Sequence, residues 1–297
     1  MMRSNVDPYT SWEERRIFHR NEAIPLSEAP KSKRVETEAE FHDRWAESVS
    51  AKEVDIRRPF EAITAVENKF ILDQMGSLRG KKVLDVGTGF GEAAVYFSLL
   101  GAEVTALDLS PKMLELAEKL ARNHGVRIQT VLGTPDTLQT QDNFFDCVYL
   151  GNVLHHIQNR ERFFQQLKAT LKTGGRFFSV DPLAYNPVIN VYRKMASQMR
   201  TEGEAPLTVK DIQLARRYFR DVEHREFWLT SLILFLKYFA IDRIHPNQDR
   251  YWKRILRETR ESLWWFPPLL TIDRALTQLP LIRYLAWNTV LWGTKAD

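Results

Sequence analysis

One stretch restricts the fold more than any other: Lys82-Val83-Leu84-Asp85-Val86-Gly87-Thr88-Gly89-Phe90-Gly91, with Asp108 seventeen residues further on. It reads as a buried strand, a glycine turn, a helix ending at Gly101, a second strand over Val104–Leu107, and an acid at that strand's end. Such a βαβ unit makes the two strands parallel and opens a nucleoside-binding crevice at the carboxyl edge of the sheet.

The alternation continues downstream. Ser110 as N-cap and Pro111 as first helical residue start a helix that Gly125 stops. Arg127–Leu132 and Phe145–Leu150 read as strands three and four, a helix over Asn159–Leu171 ends at Gly174-Gly175, and Arg176–Val180 is strand five. Helical segments at Asn190–Met199 and Val209–Tyr218, a sixth strand at Val222–Trp228 and a last one in Asn288–Lys295 complete the pattern. The expected architecture is α/β: a Rossmann-like, mostly parallel seven-stranded sheet with helices on both faces. Residues 1–38 read as an extended or partly disordered arm with a short helix at Trp12–His19, and 39–80 as an N-terminal helical cover. Residues 81–229 form the core, 230–287 a helical insertion, and 288–297 the core's last strand.

The spacing Gly87-x-Gly89-x-Gly91 differs from the G-x-G-x-x-G of dinucleotide-binding turns. Asp85, two residues before the first glycine, would repel a pyrophosphate and suits a cationic ligand. Asp108, 21 residues beyond Gly87, stands where a carboxylate accepts hydrogen bonds from ribose hydroxyls. The bland alternative is a tight turn with surface acids.

With these residues in view, Val83–Gly91 resembles the first motif of class I S-adenosylmethionine-dependent methyltransferases. The resemblance is to the branch of ubiquinone/menaquinone-type C-methyltransferases and many small-molecule methyltransferases. Four further motifs match in order: Ala106–Leu114, Asn143–Val148, Val153-Leu154-His155-His156-Ile157 and Leu171–Phe177. The resemblance implies S-adenosyl-L-methionine as cofactor. Asp85, Gly87, Thr88, Gly89 and Gly91 would hold its methionine part and Asp108 its ribose, with Leu109 and Met113 beside the adenine. Asn152, at the same sheet edge, counts with the cofactor side. Thr134 and Asp136 stand where relatives carry adenine-binding residues, but Thr134 replaces the usual Asp and Pro135 has no N–H to give.

A sulfonium methyl is already activated, so the protein must align the acceptor and, for O- or C-methylation, take up a proton. His155 and His156 follow strand four at the ligand edge; either is a candidate base, His156 being the better aligned with the family, and the alternative is a turn-capping role. Asp181, Tyr185 and Asn186, between Pro182 and Pro187, are candidate acceptor contacts or simply a helix start. The histidines lack metal-ligand spacing, so no metal is expected. Gly151-Asn152-Val153-Leu154 replaces the Asn/Asp-Pro-Pro-Tyr signature of base-amino methyltransferases, and no DNA partner is expected.

Charge and composition sharpen the rest. Residues 183–297 hold 18 basic and 12 acidic side chains and six of the eight tryptophans. The apolar run Phe227–Ile241 is too short for a comfortable membrane span, and Tyr251–Leu263 reads as an amphipathic helix. The insertion therefore admits three readings: a cap or subunit interface in a homo-oligomer, a lid over a lipophilic acceptor pocket, or peripheral membrane contact through 230–270. Lone Cys147, in an apolar run, reads as a buried structural thiol and excludes a disulfide framework. The polar N-terminus shows no signal-peptide pattern, and a cytoplasmic protein, membrane-associated or not, is expected. The expected activity is methyl transfer to a small, lipophilic acceptor with release of S-adenosylhomocysteine. A non-catalytic S-adenosylmethionine-binding module stays open, as does an NAD-dependent oxidoreductase, which Asp85 and the glycine spacing disfavour.

Overall fold

The computed structural model describes residues 33–296 apart from 136–137, 139–141, 198–199 and 201–202. The expected helix at Trp12–His19 and the candidate Asp136 lie outside the described residues. The strands are β1 (Lys82–Val86), β2 (Glu103–Asp108), β3 (Gln129–Leu132), β4 (Phe145–Gly151), β5 (Leu171–Pro182), β6 (Arg220–Phe227) and β7 (Asn288–Thr294). They form one sheet of order β3-β2-β1-β4-β5-β7-β6, parallel from β3 through β5, with β7 antiparallel to both its neighbours. This is the expected Rossmann-like architecture.

Helices cover both faces, which is why the central strands are apolar almost throughout. The helices are α1 (Lys33–Glu47), α2 (Arg58–Glu61), α3 (Val66–Met75), α4 (Glu92–Leu99), α5 (Pro111–Asn123), α6 (Arg160–Thr170), α7 (Pro187–Met195) and α8 (Val209–Tyr218). Period-two alternation sends Val83, Val104, Cys147 and Phe178 to one face, where they meet Ile71 and Met75 of α3 and Phe97 of α4. Leu84, Leu107, Val148 and Phe177 go to the other face, against Phe163 and Leu167 of α6 and Ile212 of α8. Cys147 is a buried free thiol inside the first of these clusters.

β5 begins at Leu171 and takes in Gly174-Gly175, expected to end the preceding helix, α7 runs Pro187–Met195 and not Asn190–Met199, and two further differences bear on the site. Helix α1 begins at Lys33, inside the stretch assigned to the arm, so Glu38 is helical. It docks on α5 through Asp43, whose Oδ1 accepts from Ser110 Oγ at 2.5 Å. Ser110 in turn caps α5 as expected, its Oγ accepting from Met113 N–H at 3.0 Å. The expected amphipathic helix over Tyr251–Leu263 is broken. One α turn at Tyr251–Arg254 and a 3₁₀ turn at Ile255–Arg257 give way at Glu258 to extended backbone. The cause is local: Thr259 N–H donates to Ser262 Oγ at 3.1 Å, and Ser262 N–H to Thr259 Oγ1 at 3.3 Å. Such side-chain bonds compete with the helix ladder.

The insertion builds its own apolar cluster. Trp228, Phe235, Tyr238, Tyr251, Ile255, Phe266 and Trp287 pack together and against Ile189 of α7. Thr64 Oγ1 donates to Ile255 O at 2.6 Å, joining this cluster to the chain between α2 and α3. Asp273 anchors its start, accepting from the backbone N–H groups of Leu229 and Thr230. Among the described residues no helix is long and apolar enough to cross a membrane.

The glycine turn is close-packed. A Cβ on Gly91, at φ +87°, would lie 2.5 Å from Ala117 Cβ on α5. Gly91→Ala should therefore destabilise the protein by about 3 kcal/mol in urea unfolding, through left-handed strain and forced separation of α4 from α5.

Candidate active site

The carboxyl ends of β1, β2, β4 and β5 open onto a cavity of about 380 Å³. Its floor is the glycine turn. Gly87 and Thr88 N–H groups both donate to Leu107 O, at 2.8 and 3.0 Å, which folds the turn back over β2. A Cβ on Gly87 would lie 2.6 Å from Val153 Cγ2, whereas one on Gly89 would meet nothing within 4 Å. The turn is thus packed behind and open in front, a cradle that a ligand can approach to backbone contact.

Asp108 ties this turn to the next element. Its Oδ2 accepts from Gly89 N–H at 2.9 Å and its Oδ1 from Ser110 N–H at 3.0 Å. The Leu109 backbone N–H adds a third donor, and an ionised carboxylate with about four acceptor positions still has room for a ligand hydroxyl. Burial pushes its carboxyl up to about 6 against the pull of these donors. Asp85 is also buried; burial raises it to about 7 although Thr88 Oγ1 donates to its Oδ2 at 2.6 Å. Leu109, Met113 and Asn152 line the same cavity, Asn152 with φ +61° and its N–H bonded to Val180 O at 2.8 Å. Pro135 lines it too, but Thr134 does not. Among the described residues, the expected cofactor residues Asp85, Gly87, Thr88, Gly89, Asp108, Leu109, Met113 and Asn152 are brought together on the cavity wall, whereas Gly91 and Thr134 do not line it.

His155 and His156 both reach the cavity, their rings in tilted contact with centroids 4.2 Å apart. His155 Nδ1 lies 2.8 Å from Asp181 Oδ1, which also accepts from His155 N–H at 3.1 Å. Burial holds His155 well below its ordinary value, so the ring is neutral, with Nδ1–H donating to Asp181. Burial raises Asp181 to about 7, opposed by the Ser179 hydroxyl on its other oxygen. His156 Nδ1 lies 2.9 Å from Glu38 Oε1 on α1.

Of the two readings offered for Asp181, Tyr185 and Asn186, acceptor contact is not supported, since none of the three lines the cavity. Asp181 is fully buried behind His155 and not on the cavity wall. Asn186 caps α7, its Oδ1 accepting from Ile189 N–H at 2.9 Å while its amide donates to Leu285 O. Tyr185 is 41% exposed, and its hydroxyl accepts from Val209 N–H at 3.1 Å. Of the three, Asn186 serves the next helix start, while Asp181 orients His155 and Tyr185 meets the first turn of α8.

The remaining wall comes from residues the sequence did not single out. Glu38 and Trp45 of α1, Arg193 of α7, and Arg200 and Glu204 beyond it all line the cavity, with Trp252 and Lys253 from the insertion. The Arg250 guanidinium lies 3.7 Å from the centre of the Trp45 ring, and Lys253 Nζ is 3.1 Å from Glu92 Oε1. Two of these left a trace in the sequence: Trp252 in the apolar spacing of Tyr251–Leu263, and Arg193, four residues after Ile189 on the apolar stripe of α7. His155, His156 and Glu204 bring one ligand-capable atom each within 4.8 Å of one another, a cluster that histidine spacing does not announce. Arg193 and Arg200 both face Glu204, so the surrounding charge opposes a cation there.

Residues 84–179 match the family model described as a methyltransferase domain, and this stretch is a class I methyltransferase domain. Within that class the chain is similar to the ubiquinone biosynthesis O-methyltransferase of Xanthomonas euvesicatoria, 30% identical over 123 residues, 41% of this chain and 51% of that protein. It is similar also to the ubiquinone/menaquinone biosynthesis C-methyltransferase of Cronobacter sakazakii, 30% identical over 118 residues, 38% of this chain and 47% of that one. The chain spans about half the length of the curated relatives it matches. In fold it is similar to Haemonchus contortus phosphoethanolamine N-methyltransferase 2, solved with phosphomonomethylethanolamine and S-adenosylhomocysteine. The TM-score is 0.54 and identity 20%, covering 78% of this chain and 53% of that one.

Because the folded Asp85 is raised above its unfolded value of 3.8, its contribution is fully present below about pH 4 and is lost as pH rises through about 7. Asp85→Asn keeps an acceptor for Thr88 and removes the titration. In the ligand-free protein its Tm should exceed that of wild type at alkaline pH, with the gap closing on acidification; differential scanning fluorimetry across pH reads this.

Proposed function

We propose that the chain transfers the methyl group of S-adenosylmethionine to a small acceptor, releasing S-adenosylhomocysteine. The observation that carries this reading is a single cavity joining the Asp85–Asp108 turn to His155 and His156. When bound, S-adenosylmethionine supplies an activated methyl on a sulfonium. Asp108 receives the ribose hydroxyls on its remaining lone pairs. Asp85 and the open face of Gly89 receive the cationic methionine end, and Leu109 and Met113 flank the adenine.

The acceptor's share of the work falls on the other wall. Phe41, Trp45, Ile189, Leu256 and Trp287 give it an apolar character that suits a lipophilic acceptor and excludes water. His156 takes the acceptor proton in an O- or C-methylation. With Glu38 accepting from Nδ1–H, its Nε2 carries the lone pair, and the carboxylate stabilises the imidazolium that forms. His155, held neutral on Asp181, packs against this ring and fixes its plane.

The test is calorimetry followed by labelled-methyl transfer. S-Adenosylmethionine should bind and NAD should not. Asp108→Ala should weaken S-adenosylmethionine by about 100-fold, the loss of two hydrogen bonds to a charged acceptor. With labelled S-adenosylmethionine and small-molecule cell extract, His156→Ala should lower kcat by about 100-fold or more with donor affinity retained. Donor binding with no labelled product from any extract would leave the non-catalytic module.

The insertion's outer face supports a second reading, peripheral contact with a lipid surface. Ile233, Leu236, Phe239, Ile241 and Trp264 are between 46% and 78% exposed, in the segment richest in tryptophan and cations. Wild type should float with anionic liposomes, and Ile241→Asp with Trp264→Asp should stay in the soluble fraction.

A further inference from the structure

Two guanidiniums share one carboxylate at the acceptor end of the cavity. Arg193 Nη2 lies 3.8 Å from Glu204 Oε2, and Arg200 is bonded to the same oxygen. The three side chains are only 12%, 23% and 9% exposed. Arg193 Nη1 is buried without a hydrogen-bond partner among the described residues. Glu204 Oε2 stands 4.0 Å from His155 Nε2, which places the group against the histidines. His155 is neutral and adds no negative charge.

Among the described residues the cluster therefore holds one more positive charge than negative, with a donor left over, in a place poorly reached by water. A buried charge without a partner is unfavourable, and an arginine fork is shaped for two parallel bonds to a carboxylate or phosphate. Its position is set by a rigid device: Asn186 fixes the first turn of α7 at both ends of its own side chain, and Ile189 and Arg193 follow on one helical face.

We propose that the acceptor is an anion, bearing a carboxylate or phosphate that is seated on Arg193 and Arg200 while its apolar body lies against Ile189, Tyr192 and Trp287. This rests on the methyl-transfer reading and narrows it from a lipophilic acceptor to an acidic amphiphile. Burial lowers both arginines to about 10, and each remains a cation at neutral pH. The donor's own carboxylate has another cation available: Lys253, with Nζ 4.1 Å from the centre of the Phe90 ring, stands beside the glycine turn.

The test uses the full chain saturated with S-adenosylhomocysteine, whose binding reports separately on the reading beneath; no binding of that nucleoside refutes the donor site itself. In the loaded protein, benzoate and phenyl phosphate should bind at least about tenfold more tightly than benzamide and phenol by calorimetry. Labelled product from cell extract should be retained on an anion exchanger. Arg193→Gln should abolish the preference for the anions and leave S-adenosylhomocysteine affinity within about twofold, whereas Arg193→Lys should keep part of the preference. Equal binding of benzoate and benzamide, or failure of every probe to bind, would overturn the proposal. So would a labelled product that passes through the exchanger, or an Arg193→Gln protein that prefers the anions as wild type does. Loss of S-adenosylhomocysteine binding in both Arg193 variants would assign the arginine to the donor and overturn it as well.

Discussion

The site depends on how Asp108 shares its two oxygens. One holds the Gly89 N–H and so fixes the glycine turn; the other holds the Ser110 N–H and so fixes the entry to α5. From Ser110 the chain of contacts runs outward to Asp43 on α1, and α1 delivers Glu38 to His156. Floor, cap, roof and candidate base are thus joined through short polar contacts that begin at one carboxylate. Because that carboxylate is buried and raised, it is held by geometry against its solvation preference, the usual condition of a group kept for a ligand.

The histidine pair shows a similar division. His155 faces inward to Asp181 and is neutral by burial; His156 faces α1 and meets Glu38. Two adjacent residues with identical chemistry acquire different duties because each is given a different carboxylate. The Arg193, Arg200 and Glu204 group extends the same polar layer away from the donor crevice.

What the sequence made legible follows the range of the interactions. The strand, turn, helix and second strand around Asp85 and Asp108 were readable because every determinant lies within thirty residues: period-two burial, three glycines, and a Ser-Pro helix start. Glu38 was not readable, because its partner His156 is far along the chain and nothing local marks it. Asp181, Tyr185 and Asn186 were read as acceptor contacts or simply as a helix start, because they are polar and stand at the right edge. The structure uses all three internally, on His155, on Val209 and at the α7 cap. The apolar spacing of Tyr251–Leu263 was real, since Trp252 and Ile255 do pack inward, but spacing cannot weigh the Thr259–Ser262 side-chain bonds that end the turn.

The roof has a consequence for the descent of such chains. The bonds that shape the glycine turn lie on β1, β2 and the turns that follow them, while Trp252 and Leu256 reach the cavity from an insertion held by a cation over the Trp45 ring, a bond to Thr64 and the Lys253–Glu92 pair. Substitutions in that insertion change which molecules are admitted and leave the Asp108 bonds untouched. On the reading proposed above, acceptor choice at Trp252 and Leu256 is separately heritable from the Asp108-centred turn: a lineage with this architecture is free to explore new acceptors without first surrendering the methyl source.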